Sequence, residues 1–262
     1  MLTVRQFGSA GPVVVLLNGS GSALAQLEGL AERLASRYQV LVPAFPGYGE
    51  TPRFDGAYSL DLDGSLLRAA LASRGVRRAH AVVGHSFGAF RAVSLALSED
   101  ISVERIVGLG PALLVKPEER AGLVGLAALL KSGTPLPLDA IAAGQLSLAW
   151  RTTHPDAVQR LGEWIGSIDP LGLADELEMV ARDLPLDLDP ILRALAPKVG
   201  KILFRVGTED GSAPAGRVRE LAERIGADLQ VVEGAAHLLL VEDFEATADA
   251  VSHMLAEPLS PR

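Results

Sequence analysis

The sharpest chemical signal in this chain is Gly84-His-Ser-Phe-Gly88, a serine set between two glycines at fixed spacing. Such a Gly-x-Ser-x-Gly pattern places the serine on a sharp strand-to-helix turn, and a side chain at either glycine would collide with the neighbouring strand or helix. A hydroxyl is a weak nucleophile until a base takes its proton, so Ser86 can attack only if a histidine, itself oriented by an acid, comes within reach. Five histidines are present. His85 should point away from Ser86 along the strand and reads as packing. His80, His154 and His253 read as exposed or structural. His237, beside the apolar run Leu238 to Val241, reads as packing when taken alone, and the Glu209-Asp210 pair taken alone reads as a solvated acidic loop. No histidine pair has a metal-ligand spacing, and there is neither a Walker loop nor a Gly-x-Gly-x-x-Gly, so no metal or cofactor is expected.

The elements needed to position these residues are legible as alternating periods. Thr3 to Phe7, Val13 to Leu17, Tyr38 to Val42, Ala79 to Gly84 and Glu104 to Leu109 read as strands, several of them continuous apolar runs suited to burial on both faces. Between them, Ala23 to Arg37, Ser59 to Arg74 and Phe87 to Leu97 have helical spacing. Strand-helix alternation predicts a parallel sheet with right-handed crossovers. From about Ala112 to Leu186 the rhythm changes to helical patches alone: Arg120 to Lys131, Leu138 to Trp150, Pro155 to Ile168 and Leu173 to Asp183. Alternation resumes with the strand Lys201 to Val206, the helix Ala215 to Ile225, the strand Leu229 to Val232 and the helix Asp243 to Leu255. The expected architecture is therefore α/β, a mostly parallel central sheet flanked by helices, formed by residues 1–111 and 187–262 and interrupted by a helical insertion at 112–186.

With the elbow in this context, the chain resembles the α/β-hydrolase superfamily over nearly its whole length, in its capped serine-hydrolase branch. The resemblance implies roles by position. Asn18-Gly-Ser-Gly21 is similar to the family's oxyanion loop, so Ser20 would supply one backbone N–H and Phe87 the other. The family usually has His-Gly where this chain has Asn18-Gly19, which changes a side chain close to the pocket and leaves the amide in place. Phe45-Pro-Gly-Tyr-Gly-Glu-Thr51 resembles the family's Gly-x-Gly loop and reads as structural, with Ala44 where an Asp is common. Gly207-Thr-Glu-Asp-Gly-Ser-Ala-Pro214 is similar to the acid loop, and its spacing points to Asp210 over the adjacent Glu209. Gly234-Ala-Ala-His237 resembles the final loop, which makes His237 the general base. The insertion resembles the family's cap, with Leu123, Leu126, Leu129, Leu146, Leu148, Trp150, Trp164 and Ile165 as candidate lining residues, each equally suited to packing cap helices together.

Composition narrows the function classes. The 262 residues are 48% hydrophobic and 21% charged, enough for a sizeable core. A net charge of −8 argues against nucleic-acid partners, and the absence of cysteine excludes disulfides and thiolate metal sites. The opening residues lack the charged end and apolar stretch of a signal peptide, and the most apolar segment, Ala121 to Leu130, is too short to span a bilayer; a cytoplasmic protein with no membrane partner is expected. A serine at the elbow disfavours the branches in which an aspartate attacks carbon. Hydrolysis of a small, largely apolar carboxylic ester through an acyl-enzyme, with a Ser-His-Asp triad and no cofactor, is the expected reaction. Hydrolysis of a C–C bond in the meta-cleavage manner is the alternative: Gly19-Ser-Gly21 resembles those enzymes, although Leu238 replaces their usual aromatic. Cofactor-free perhydrolysis and a non-catalytic ligand receptor on the same fold are further alternatives.

Overall fold

The computed structural model describes residues 1–259 of the chain. Its first half runs β1 (Thr3–Phe7), β2 (Val13–Leu17), α1 (Ala25–Leu34), β3 (Gln39–Ala44), α2 (Leu60–Ala72), β4 (Arg78–Ala79), β5 (Ala81–His85), α3 (Phe87–Leu97), β6 (Ser102–Val103) and β7 (Arg105–Leu109). The helices α4 (Pro117–Lys131), α5 (Leu138–Gly144), α6 (Leu148–Thr153), α7 (Pro155–Gly166) and α8 (Pro170–Asp183) follow without an intervening strand. The last third adds α9 (Asp189–Leu195), β8 (Lys201–Gly207), α10 (Ala215–Ile225), β9 (Asp228–Val232), α11 (Leu239–Glu242) and α12 (Phe244–Ala256).

Seven strands form one sheet in the order β1-β3-β2-β5-β7-β8-β9. Every pairing in it is parallel except β1 with β3, where Thr3 faces Ala44 and Phe7 faces Val40. The central strands are covered on both faces: Val14 to Leu17, Val40 to Val42, Ala81 to Val83, Ile106 and Val107 are fully buried. This is why these strands read as unbroken apolar runs rather than alternating ones. Burial of each such Val or Leu side chain contributes about 1.5–3 kcal/mol. Helices α2, α3, α9 and α10 pack successively on one another, and α1 packs with α11 and α12. Among the described residues, no helix is long and apolar enough to cross a membrane.

The chain goes from β2 to β3 on one side and to β5 on the other, so the order reverses between β2 and β5. A crevice forms at such a switch point, beyond the carboxyl ends of the strands, and this is where open α/β sheets place their ligands. Two expected elements are subdivided. The run Ala79 to Gly84 is split at His80, whose N–H donates to Val13 O at 2.8 Å, and the short β4 pairs with β6 outside the main sheet. The helix expected over Leu138 to Trp150 is two helices, because Gly144 ends the first and Ser147 Oγ caps the second by accepting from Trp150 N.

Candidate active site

Ser86 connects β5 to α3 with no intervening residue, and its backbone is forced to φ 53°, ψ −122°. It is the one non-glycine residue with positive φ among those described. The flanking glycines are required sterically: a Cβ at Gly84 would overlap the Gly88 carbonyl, and one at Gly88 would overlap Leu17 O on β2. Ser86 N donates to Leu109 O at 2.9 Å, which ties the turn to β7. Strain of this kind persists only where the surroundings over-determine it, and it clusters at sites of function.

β8 and β9 deliver the other two side chains. Asp210 follows β8 and is buried, with Oδ1 accepting from Ser212 N at 2.9 Å and Ala213 N at 2.7 Å. Glu209, one residue earlier, is exposed to solvent. His237 follows β9, is 4% exposed, and places Nδ1 2.8 Å from Asp210 Oδ2 and 3.0 Å from Oδ1. A carboxylate only accepts, so Nδ1 carries the proton and Nε2 is left with its lone pair, the form a general base needs. The loop holding His237 is fixed on both sides by the helical segment. His237 N donates to Gln145 O at 3.1 Å, while Glu242 accepts from Ala236 N and from Ser147 N, each at 3.0 Å.

Behind this pair sits His85, whose Nε2 donates to His237 O at 3.2 Å and whose Nδ1 accepts from Ser22 Oγ at 3.2 Å. Its ring lies 4.8 Å from that of His237. Full burial, with the neighbouring His237 adding to it, lowers the His85 pKa from 6.5 to about 3. His85 therefore stays neutral, a wedge between the Asn18–Ser22 loop and the His237 loop; packing was its expected role, and the two hydrogen bonds define it further.

The loop after β2 carries Ser20. Among the described residues, neither Ser20 N nor Phe87 N has a hydrogen-bond acceptor, and both residues border the cavity that Ser86 faces. Asn18 is fully buried and folds back into the loop, its Nδ2 donating to Gly19 O and Ser22 O at 3.1 Å each. It does not line that cavity; its side chain serves the loop's internal bonding rather than the pocket surface.

That cavity measures about 310 Å³. Its floor holds Ser20, Ser86, Phe87 and His237, and its walls include Leu123, Leu126, Ile165, Leu173, Leu177 and Val180 from α4, α7 and α8. Gln26, Glu119 and Ser212 also border it. No hydrogen bond joins Ser86 Oγ to His237 Nε2 among the described residues; contacts of this kind in free enzymes often tighten only when substrate binds. Of the candidate lining residues, Leu123, Leu126 and Ile165 face the cavity. Leu129 and Leu148 are 46% and 64% exposed, and Leu146, Trp150 and Trp164 pack in an apolar cluster with Leu161 and Leu238, two residues that themselves border the cavity. Among the described residues, no group of three or more His, Cys, Asp or Glu side chains is placed to hold a metal ion.

Sequence reasoning missed a buried ionic cluster beside the loop that carries Ser20. Arg91 on α3 is 1% exposed and donates from Nε and Nη2 to Asp63 at 3.0 and 2.7 Å, and from Nη2 to Glu176 at 2.6 Å. Burial opposes its charge, but Asp63 and Glu176 outweigh that and raise its pKa. Tyr58 donates to Asp63, and Tyr48 donates to Glu176. The available signal was Arg91 itself, a charge within the apolar helix Phe87-Gly-Ala-Phe-Arg-Ala-Val.

The sheet order, the elbow and the loops beyond the strand ends are those of one family, and the model of the alpha/beta hydrolase family matches residues 14–250. The chain belongs to the alpha/beta hydrolase family. Among curated proteins it is similar to the magnesium-chelatase 30 kDa subunit of Rhodobacter capsulatus, 29% identical across 94% of this chain and 86% of that protein. It is also similar to an uncharacterized protein of Mycobacterium tuberculosis, 24% identical across 95% of this chain and 77% of that protein. Solved structures sharing the fold include the enol-lactonase from Burkholderia xenovorans LB400, with a TM-score of 0.84 at 24% identity over 98% of this chain and 96% of that one. The thermophilic esterase from Thermogutta terrifontis has a TM-score of 0.85 at 20% identity over 97% and 92% of the two chains.

Proposed function

We propose that this protein is a serine hydrolase that cleaves a small, largely apolar carboxylic ester through an acyl-enzyme. One observation carries the reading: the strained Ser86 and the buried His237–Asp210 pair open onto the same apolar cavity. In this reading Ser86 Oγ attacks the ester carbonyl carbon while His237 Nε2 takes its proton. Asp210 holds the imidazole tautomer and stabilises the imidazolium. The free amides of Ser20 and Phe87 receive the developing oxyanion, and each such donor accounts for about 2.7–4 kcal/mol of barrier lowering. His237 then returns the proton to the departing alcohol, and a water activated by the same nitrogen releases the acid.

Residues 112–186 serve as a cap over a hydrolase core formed by 1–111 and 187–262, and the cap's leucines select the apolar part of the substrate. The apolar walls favour an uncharged small molecule as partner. An esterase and an enol-lactonase among the structural neighbours agree in class with this reading. The test is turnover of p-nitrophenyl esters of graded acyl length against a ring-fission dienoate. Ester hydrolysis lost in Ser86→Ala is the expected result; turnover of the dienoate alone would make the protein a C–C hydrolase instead.

A further inference from the structure

The oxyanion loop has almost no regular structure of its own, so something outside it must fix the direction of the Ser20 amide. A single turn bond, Ser22 N to Gly19 O at 3.1 Å, and the Asn18 side chain hold it from within. From outside, His85 holds the Ser22 hydroxyl, and the buried ionic cluster grips the backbone at two points, on either side of Ser20. Arg91 Nη1 donates to Asn18 O at 3.2 Å, and Gly21 N donates to the Tyr48 hydroxyl at 2.8 Å.

Tyr48 can receive that amide in only one orientation. A phenol has one proton, and here the proton is given to Glu176 Oε2, which leaves the oxygen's lone pair turned to Gly21. Burial, reinforced by the negative charge of Glu176, raises the Tyr48 pKa well above its ordinary value of 10.0, so the hydroxyl keeps its proton at any pH in the working range. Glu176 belongs to α8, in the helical segment that also walls the cavity. That helix reaches the Tyr48 loop through backbone contact: a Cβ on Gly47 would lie 2.8 Å from Gly172 Cα, and Asp169 N donates to Gly47 O at 3.0 Å.

We propose that Tyr48 and Glu176 are positioning residues for the oxyanion hole: Glu176 on α8 orients the Tyr48 hydroxyl, which holds the Gly21 amide and so aims the adjacent Ser20 N–H. This rests on the hydrolase reading above and adds a coupling to it. The docking of α8, a wall of the substrate cavity, sets the geometry in which the transition state is stabilised. The effect is confined to the transition state, because the ground-state ester needs little from the oxyanion amides.

The test is Tyr48→Phe, which keeps the ring and removes the hydroxyl. With the best p-nitrophenyl ester, kcat should fall by roughly tenfold or more while KM changes by less than about twofold. Inhibition by a trifluoromethyl ketone, whose serine adduct carries the oxyanion, should weaken by the same factor. Amide hydrogen exchange supplies an arm that needs neither activity nor the variant: in the wild-type protein the Gly21 N–H should exchange about a hundredfold slower than in an unstructured peptide. Fast exchange at Gly21 would overturn the proposal. So would a folded Tyr48→Phe protein with wild-type kcat and ketone affinity, which would leave Tyr48 a packing residue. If wild type itself neither hydrolyses esters nor binds the ketone, the hydrolase reading falls and takes the coupling with it.

Discussion

The floor and the walls of the cavity present different physics to whatever enters it. On the floor, Ser86, Asp210, His237 and the Ser20 loop are fixed by directional contacts: tight backbone approaches at Gly84 and Gly88, paired amides on Asp210, and a His237 whose imidazole is held by Asp210 and whose backbone carbonyl is held by His85. The walls from α4, α7 and α8 present mostly leucine and valine to the cavity, a non-directional apolar surface, while polar bonds such as Arg120 to Ala181 O, Lys131 to Glu178 and Arg91 to Glu176 tie α4 and α8 in place. Directional contacts fail abruptly when one partner changes, whereas apolar walls deform and fill. The floor should therefore be intolerant and specific in its chemistry, and the walls tolerant and tunable in size.

The contrast breaks if floor and wall substitutions cost the same. Asp210→Asn should lower kcat/KM for a p-nitrophenyl ester by about 10⁴-fold, because the amide fixes the wrong imidazole tautomer. Glu209→Gln, on the exposed neighbour, should change it by less than about twofold. The opposite ranking would move the acid to Glu209. Gly88→Ala should destabilise the fold by about 3 kcal/mol or more, since the added methyl meets the Leu17 carbonyl and neither backbone can retreat; denaturant unfolding reads this directly. On the walls, Leu177→Ala should leave the rate on short esters nearly intact and raise the preference for acyl chains a few carbons longer by about tenfold. An unchanged chain-length profile would remove Leu177 from the substrate's path.

The smallest effect concerns His85 and pH. Unfolded, this imidazole titrates near 6.5; folded, it stays neutral down to about 3. Below pH 6.5 the unfolded chain then binds the extra proton, so the stability due to neutral His85 is complete above 6.5 and declines as pH falls toward 3. Glu119 and Asp183, whose pKa values are lowered by their arginine partners against some burial cost, add an acid-side loss below their ordinary range. His85→Gln keeps a donor and an acceptor but does not titrate. Its melting temperature should fall less steeply than wild type's between pH 6.5 and about 4; parallel slopes would contradict the buried neutral state.

The same contrast decides what was legible in the sequence. The floor was readable because its constraints are local. The Gly-x-Ser-x-Gly spacing marks the turn by itself, and spacing along one loop favours Asp210 over Glu209, the residue the structure sets against His237 being Asp210. The strands were readable because burial on both faces leaves a continuous apolar run. The walls were not. Helix α4 places Leu123, Leu126 and Leu130 on one stripe, but the spacing does not say whether a stripe meets a ligand or another helix: Leu123 and Leu126 border the cavity, Leu130 is buried, and Leu129 at the edge is exposed. The ionic cluster was also illegible. Arg91 announces that a counter-charge exists, but its carboxylates lie 28 and 85 residues away, and only the folded topology selects Asp63 and Glu176. Tyr48, read within a structural loop, gained its contact with Gly21 in the same way.

The central claim is that Ser86 is an activated nucleophile, and covalent labelling with a fluorophosphonate tests it most directly. The wild-type protein should acquire one label at Ser86, as read by mass spectrometry of its peptides. Ser86→Ala should acquire none, and Asp210→Asn should label far more slowly than wild type. An unlabelled wild type, or equal labelling of Ser86→Ala, would contradict the assignment.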